Sequence, residues 1–200
     1  LYVLVGISGA GKSTFVNSFV QKNPDVMVYS SDALRAILGS SESDQSVTPQ
    51  VFSTIKYNVN RDLSQGKSVM VDATSLNPKE RRDYIDAAKK YNAKSIAYVF
   101  ERDKSTLMKN QATRKASGGR EVPEFVIDKM LAKYVRPSKN EGFDEIYLFL
   151  CNSPCHDCDI HRHRRFCPAG GLAPKAGNFH HSLCCGGRDG CFCAASGLPT

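Results

Sequence analysis

Cysteine and histidine are missing from the first 150 residues, since all eight cysteines and all five histidines lie at or beyond Cys151. Without cysteine this part forms no disulfides, which is typical of a cytoplasmic domain. No apolar run approaches the roughly 18 residues that cross a bilayer, so no membrane span is predicted. The chain starts at Leu1 without a methionine. We therefore expect a fragment, for which the lack of a signal peptide says little.

The residues that are present have the composition of an ordinary globular protein, with 41% hydrophobic and 24% charged residues. A length of 200 residues allows one sizeable domain and a small appendage. We predict a domain over residues 1–150 and a Cys/His-rich tail over 151–200. The formal charge of +7 favours polyanionic partners such as nucleotides or nucleic acid.

Short β-rich runs alternate with helical patterns through the predicted domain. The predicted strands are 1–5, 26–30, 68–72, 95–100 and 145–150. The predicted helices are 12–22, 32–38, 50–65, 78–91, 103–116 and 123–134. The alternation predicts an α/β fold, a parallel five-stranded sheet flanked by helices, with its ligand beyond the carboxyl ends of the strands. The polar segments 39–49 and 117–123 are predicted to be mobile loops.

The segment "GISGAGKST", residues 6–14, fits the phosphate-binding pattern G-x-x-x-x-G-K-[ST] of a P-loop. Its glycines let backbone N–H groups converge on phosphate oxygens, while Lys12 reaches the β- and γ-phosphates and Ser13 coordinates Mg²⁺. A glycine-rich turn without a ligand is the alternative, but the strand before and the helix after favour a P-loop NTPase fold. The predicted ATP-binding residues of the loop are Gly6, Ser8, Gly9, Ala10, Gly11, Lys12, Ser13 and Thr14.

Carboxylates follow the second and third predicted strands. Asp32 is placed to take a proton from an acceptor hydroxyl as a general base, although Ser31 or Asp32 could equally be the N-cap of the next helix. Asp72 fits a carboxylate that holds Mg²⁺ together with Ser13, and its alternative role is that of a turn residue at a strand end.

Basic side chains form two further groups. Most of Lys79, Arg81 and Arg82 are expected on a solvated helix face. Arg114 and Arg120 flank a predicted flexible loop after the fourth strand and its helix, where they could close over ATP and stabilise charge on the transferring phosphoryl group.

Taken together, these stretches resemble the kinase domain of bacteriophage polynucleotide 5′-kinase and its P-loop kinase relatives. The resemblance covers residues 1–149 and depends on "LYVLVGISGAGKST", "SSDALR", "VDATSLNPKERRDYIDAAKKY" and "GREVPEFVIDKMLAKYVRPSKNEGFDEI". It implies that Asp32 activates a 5′-hydroxyl, that Arg35 contacts the acceptor nucleic acid, and that Arg114 touches the phosphates of ATP.

The chain departs from this family in two respects. The lid helix of the family usually carries two arginines one turn apart, but here Asn110 lies one turn before Arg114. Lys109 is a candidate replacement, although lysine lacks the bidentate fork of arginine. Bifunctional relatives continue into a phosphatase domain with a D-x-D-G-T motif, which this sequence lacks, so no 3′-phosphatase is predicted.

The tail combines cysteine and histidine in a way that allows several interpretations. Zinc could be held by Cys155, Cys158, His161, His163 and Cys167, with Cys184, Cys185, Cys191 and Cys193 as a second set. Its spacings fit no standard zinc finger, and it has too few large apolar residues to fold without metal or disulfides. Disorder, or translation in a wrong reading frame, are the alternatives.

The sequence as a whole predicts an ATP- and Mg²⁺-dependent kinase that phosphorylates the 5′-hydroxyl of a polynucleotide. A kinase of a small molecule, such as a nucleoside, a sugar or an antibiotic, would use the same parts with another acceptor pocket. A nucleic-acid-binding module with the P-loop as a switch is the third possibility. The expected location is cytoplasmic, and no oligomeric state is predicted.

Overall fold

A parallel sheet forms the centre of the domain. The computed structural model describes residues 1–42 and 44–150, and in this part of the chain five strands pair in the order β2-β3-β1-β4-β5. The strands are β1 (Tyr2–Gly6), β2 (Met27–Ser30), β3 (Val69–Asp72), β4 (Ile96–Phe100) and β5 (Glu145–Phe149). Every neighbouring pair is parallel. The predicted five-stranded α/β fold is therefore confirmed, and each strand bound agrees with the prediction to within one residue.

Helices connect the strands, and their bounds agree with the predictions to within two residues. They are α1 (Lys12–Lys22), α2 (Ser31–Leu38), α3 (Thr48–Ser64), α4 (Pro78–Lys90), α5 (Lys104–Ala116) and α6 (Glu124–Lys133), followed by a short 3-10 helix (Lys139–Glu141). Helix starts follow their caps: Asn77 accepts a hydrogen bond from the Glu80 amide, and Asp103 accepts one from the Thr106 amide. Among the described residues, none of the helices is long and apolar enough to cross a membrane.

Both faces of the sheet are covered, which explains why its strands are almost wholly apolar. On one face, Val3 and Val5 of β1 belong to a hydrophobic cluster that also contains Ile55 of α3 and Ile85 of α4. On the other face lie aromatic rings of β1, β4, β5 and α1, including Tyr2, Phe15, Phe19, Tyr98 and Phe149. Because side chains alternate along a strand, this double burial fixes the register and the position of the strand ends.

The prediction that most of the basic cluster on α4 is solvated is confirmed, and Arg81 is the exception. Lys79 and Arg82 are exposed, but Arg81 is completely buried. Its guanidinium donates to both carboxylate oxygens of Glu141, at 2.7 and 2.8 Å, and to the backbone oxygen of Ser75 at 2.8 Å. A buried arginine requires such full pairing, and here the pairing fixes the loop that follows β3.

The candidate zinc ligands Cys155, Cys158, His161, His163 and Cys167 lie outside the described residues. The zinc site, the second cysteine set and the division of the chain at residue 150 stay predictions. The same holds for the cytoplasmic location.

Candidate active site

The loop between β1 and α1 depends on glycine at three positions. A Cβ at Gly6 would lie 2.7 Å from the backbone oxygen of Phe100, and one at Gly9 would lie 2.8 Å from Nε2 of Gln111. Gly11 has a φ of 97°, in the left-handed region that favours glycine, and provides no side-chain cap for α1. The loop is also anchored to the segment after β3, because the Gly6 amide donates to the Thr74 oxygen at 3.0 Å. Its shape therefore leaves the positive end of α1 without a side-chain cap, as an anion site requires.

Lys12 is buried at the first position of α1 and bends back over the loop. Its Nζ donates to the backbone oxygens of Gly6 at 2.7 Å and Ile7 at 3.1 Å. Burial lowers the pKa of Lys12 to about 8. The charges of Asp72 and Asp32 oppose this shift, and the charge of Arg114 adds to it. An ammonium group whose charge is disfavoured in this way fits a polyphosphate, because bound phosphates would restore the preference for the charged form.

We expect the affinity of the protein for ATP to fall above pH 8 for this reason. In the free protein Lys12 loses its proton near its pKa of about 8, whereas bound phosphates raise that pKa. Between the two values, ATP binding takes up a proton, and its dissociation constant should rise about tenfold per pH unit. Below pH 8 this group should contribute no pH dependence. Titrations of ATP between about pH 7 and pH 10 measure the effect.

The control for this titration is Lys12→Arg, because a guanidinium stays charged over the whole range. Its dissociation constant should lack the rise above pH 8. An equal rise in the arginine variant would assign the pH dependence to another group.

Asp72 lies at the carboxyl end of β3, beside the P-loop lysine. The register pairs it with Ser30 of β2. Burial raises the pKa of Asp72, and the charge of Asp32 adds to this shift. The charge of Lys12 and a hydrogen bond with Ser30 oppose it. A nearby divalent cation would stabilise the ionised carboxylate, so Asp72 fits a magnesium ligand.

Magnesium fits this site as the ATP complex. Mg²⁺ is usually bound through one or two carboxylates together with substrate phosphates, and Asp72 together with the exposed Ser13 at the second position of α1 provides that kind of donor set. In residues 1–42 and 44–150, no group of three or more His, Cys, Asp or Glu side chains could hold a metal ion without such a substrate.

Asp32 lies in the first turn of α2, and it is not the cap of that helix. The N-cap is Ser30, whose Oγ accepts from the Ala33 amide at 3.4 Å, so the alternative N-cap role for Ser31 or Asp32 is wrong. The Asp32 carboxylate instead receives two guanidinium groups on Oδ1, Arg35 Nη1 at 2.6 Å and Arg120 Nη1 at 3.6 Å. Because Ser30 caps α2, the Asp32 side chain is available for a chemical role.

Arg35 is the buried arginine of the candidate site. Only 8% of its surface is exposed, although it lies on the short helix α2 at the edge of the domain. One of its donors, Nη1, binds Asp32, whereas Nε is buried without a hydrogen-bond partner among the described residues. A buried N–H of this kind normally has an acceptor.

Arg114 and Arg120 meet the loop between α2 and α3. The Arg114 Nη2 is 3.6 Å from the Glu42 carboxylate, and Arg120 Nη1 donates to the Glu42 backbone oxygen at 3.1 Å. Both arginines thus lie on the side of the site where Asp32 is found. Lys109 is exposed on α5, and its neighbour Asn110 contacts the P-loop by donating to the Gly9 oxygen at 2.8 Å.

The structure brings most of the predicted site residues together. Lys12 interacts electrostatically with Asp32, Asp72 and Arg114, and Arg35 and Arg120 both contact Asp32. Sequence reasoning missed the polar residues that hold this group in place, which are Ser30, Glu42, Gln111 and Arg81. The position of Asn110, at which the kinase family has arginine, was the one available signal for the contact of α5 with the loop.

Comparisons with known proteins identify the family of the chain. Residues 1–137 match a family model described as an AAA domain. An L-seryl-tRNA(Sec) kinase from Methanococcus maripaludis is 26% identical over 148 residues, which are 72% of this chain and 56% of that protein. The chain therefore spans about half the length of this curated relative.

Two solved structures share the fold. One is a structure of the Pnkp1/Rnl/Hen1 RNA repair complex, with a TM-score of 0.57 and 24% identity over 66% of this chain and 42% of that chain. The other is a gluconokinase from Sinorhizobium meliloti 1021, with a TM-score of 0.53 and 16% identity over 76% of this chain and 83% of that one. The likeness confirms a P-loop kinase fold, and the two proteins differ in kind, since one belongs to an RNA repair complex and the other is a gluconokinase.

Proposed function

The chain belongs to the AAA domain family, and from that premise we propose that it is a kinase that transfers the γ-phosphoryl group of ATP to the 5′-hydroxyl of a polynucleotide. The glycine loop and the buried Lys12 support the ATP half of this proposal. The relative that acts on a seryl-tRNA, and the likeness to part of an RNA repair complex, support an acceptor that is nucleic acid.

In the proposed reaction, the acceptor oxygen forms a bond to the γ-phosphorus as the bond from that phosphorus to the ADP oxygen breaks. Asp32 takes the hydroxyl proton, for which the carboxylate oxygen not used by Arg35 and Arg120 is available. Lys12 and the loop amides neutralise the phosphates that ADP retains. Mg²⁺, held by Ser13 and Asp72, supplies further charge neutralisation on the phosphates when it is bound with ATP.

Arg114 and Arg120 complete the proposed site from the lid side. Their guanidinium groups lie close to the acidic Glu42 and Asp32, and they can exchange these partners for the phosphate oxygens of ATP. After this exchange the guanidinium groups would stabilise the charge that spreads onto the transferring group.

The observation that carries the choice of acceptor is Arg35. It is a buried guanidinium that orients Asp32 with one donor and has a second donor, Nε, without a partner in residues 1–42 and 44–150. For a phosphate of the acceptor to satisfy this donor with a charge-assisted hydrogen bond, the guanidinium has to turn toward the surface, because Nε is buried. A polynucleotide offers that phosphate beside its 5′-hydroxyl, whereas a nucleoside or a sugar does not.

The test replaces Arg35 with alanine and measures phosphate transfer from labelled ATP to a 5′-hydroxyl oligonucleotide and to a free nucleoside. Loss of a charged hydrogen bond should raise KM for the oligonucleotide by roughly 10–100-fold, with a smaller change for the nucleoside. A lower kcat on both acceptors is expected as well, since Arg35 also orients Asp32.

Arg82→Ala provides the matched control, because Arg82 is an exposed arginine on α4. It should leave both acceptors unaffected. An equal rise of KM for the two acceptors in the Arg35 variant would contradict a polynucleotide acceptor and favour a small-molecule kinase. ATP binding without transfer to either acceptor would favour a nucleic-acid-binding module with a P-loop switch.

A further inference from the structure

We propose that Gln111 is a positioning residue that fastens the lid to the P-loop and thereby sets where Arg114 and Arg120 lie over bound ATP. The lid is defined here as residues 112–121, between Gln111 in the middle of α5 and Val122 before α6, so it begins within the helix. The inference rests on the proposed function in one respect, namely that ATP is the ligand of the P-loop. It does not depend on the acceptor.

The Gln111 side chain uses both ends of its amide. Its Nε2 donates to Oγ of Ser8 in the P-loop at 3.2 Å, and its Oε1 accepts from the backbone amide of Val122 at 3.1 Å. Gln111 is only 1% exposed. One buried amide therefore joins three segments, which are α5, the P-loop and the chain that returns from the lid.

A second contact holds the same turn of α5 against the loop. Asn110 Nδ2 donates to the Gly9 oxygen at 2.8 Å. The approach is so close that a Cβ on Gly9 would lie 2.8 Å from Gln111 Nε2 and 3.2 Å from the Leu107 oxygen. The glycine at this position is thus needed for the contact with α5 as well as for the shape of the loop.

The lid also contacts the site through its arginines, since Arg114 pairs with Glu42, and Arg120 pairs with Asp32 and donates to the Glu42 backbone oxygen. Gln111 and Val122 are buried, whereas every residue of the lid between them is exposed or only half-buried. Gly118 has a φ of 78° in the turn of the lid, and Arg114 and Arg120 lie on either side of that turn. Because the two ends of the lid meet at one side chain, the position of that side chain determines the reach of both arginines toward the loop.

This geometry distinguishes a positioning residue from an ordinary buried one. Removal of the amide leaves the lid covalently attached at both ends but no longer fixed to Ser8. The arginines can then sample positions away from the phosphates, so bound ATP must order them again and binds less tightly. The effect on ATP should exist only as long as the lid arginines are there to be positioned.

The experiment is a double-mutant cycle with Gln111→Met and Arg114→Ala, in which the dissociation constant of Mg-ATP is measured for the full chain. Methionine keeps the length of the side chain and removes both hydrogen bonds. Each single variant should bind ATP about tenfold more weakly. The double variant should bind far more tightly than the hundredfold product of the two losses would give, since Gln111 acts on ATP through the lid arginines and only Arg120 is left for it to position.

A multiplicative loss of about a hundredfold in the double variant would overturn the proposal, because it would show that Gln111 acts independently of the lid arginine. Unchanged ATP binding in Gln111→Met would overturn it as well. Thr113→Ala is the matched control, since Thr113 is exposed on the same helix and its hydroxyl donates only to the Lys109 oxygen of that helix. It should bind ATP like the wild type.

Hydrogen exchange provides a readout that needs no ligand. In Gln111→Met the amides of residues 112–122 should exchange faster while those of the sheet are unchanged. Faster exchange throughout would mean general destabilisation and contradict the proposal.

If the methionine variant does not fold, Asn110→Ala tests the same joint, with a loss of ATP affinity of about threefold. Failure of the proposed function is distinguishable, because it would appear as missing transfer to oligonucleotides while both readouts behave as expected.

Discussion

Replacement of Lys12 by methionine is expected to lower phosphoryl transfer by at least about 10²–10³-fold, the range for loss of one group that stabilises transition-state charge. Lys12 Nζ is the buried ammonium of the loop, 2.7 Å from the Gly6 oxygen. Methionine has a similar length and no charge, so the bound phosphates would lose the positive charge of the loop lysine. Initial rates of transfer from labelled ATP measure the loss.

The fold should survive this substitution. Burial lowers the pKa of Lys12 to about 8, which means that the folded state disfavours the charged side chain compared with the unfolded chain. Methionine carries no charge, so its burial lacks this cost in folding free energy. It also removes the hydrogen bonds to the oxygens of Gly6 and Ile7, so the two effects oppose each other and a small change in Tm is expected.

Lys22→Met is the matched control, because Lys22 is an exposed lysine in the last turn of the same helix. It should transfer phosphate at the wild-type rate. Full activity in Lys12→Met would remove the P-loop lysine from the mechanism, whatever the acceptor is.

The sheet and the P-loop could be predicted from the sequence because their determinants are local. Apolar runs of four to six residues define the strands, and the glycines of residues 6–11 act through backbone conformation within the loop. The strand order was beyond such reasoning, since alternation of strands and helices predicts parallel pairing without saying which strands are neighbours.

The contacts that fix the site could not be predicted because they join distant parts of the chain. Gln111 and Ser8 are 103 positions apart, and a polar residue on a polar helix gives no sign of its partner. Arg81 is a different case. It shares the inward face of α4 with Tyr84, Ile85 and Ala88, a spacing that indicates a buried position. A charged residue among these apolar positions was the available signal for a buried ion pair.

The role of Asp32 depends on a distinction that the structure makes testable. If Asp32 were the N-cap of α2, a change in stability on substitution by asparagine could come from the cap or from the interactions with the arginines. Ser30 provides that cap, so Asp32 is free of it. What remains is its interaction with Arg35 and Arg120 and with the positive end of α2.

Asp32→Asn should lower turnover by about 10²–10⁴-fold, the range for loss of general-base help. Asparagine keeps the size of the side chain and an oxygen that can accept from Arg35, but it cannot take a proton from the acceptor hydroxyl at neutral pH. The dissociation constant of ATP should be nearly unchanged, because the loop, Lys12 and Asp72 are intact. Transfer under saturating ATP and oligonucleotide therefore measures the chemical role.

Asp86→Asn is the control for this substitution, since Asp86 is exposed on α4; it should retain full turnover. A fall in ATP affinity that matches the fall in turnover would instead show that Asp32 acts by holding Arg120 near the phosphates. Wild-type turnover in Asp32→Asn would end its assignment as the base, and the proton would then have to leave the acceptor without it. Because Lys12→Met removes charge stabilisation and Asp32→Asn removes the proton acceptor, only the second should spare ATP binding, and that difference separates the two halves of the proposed reaction.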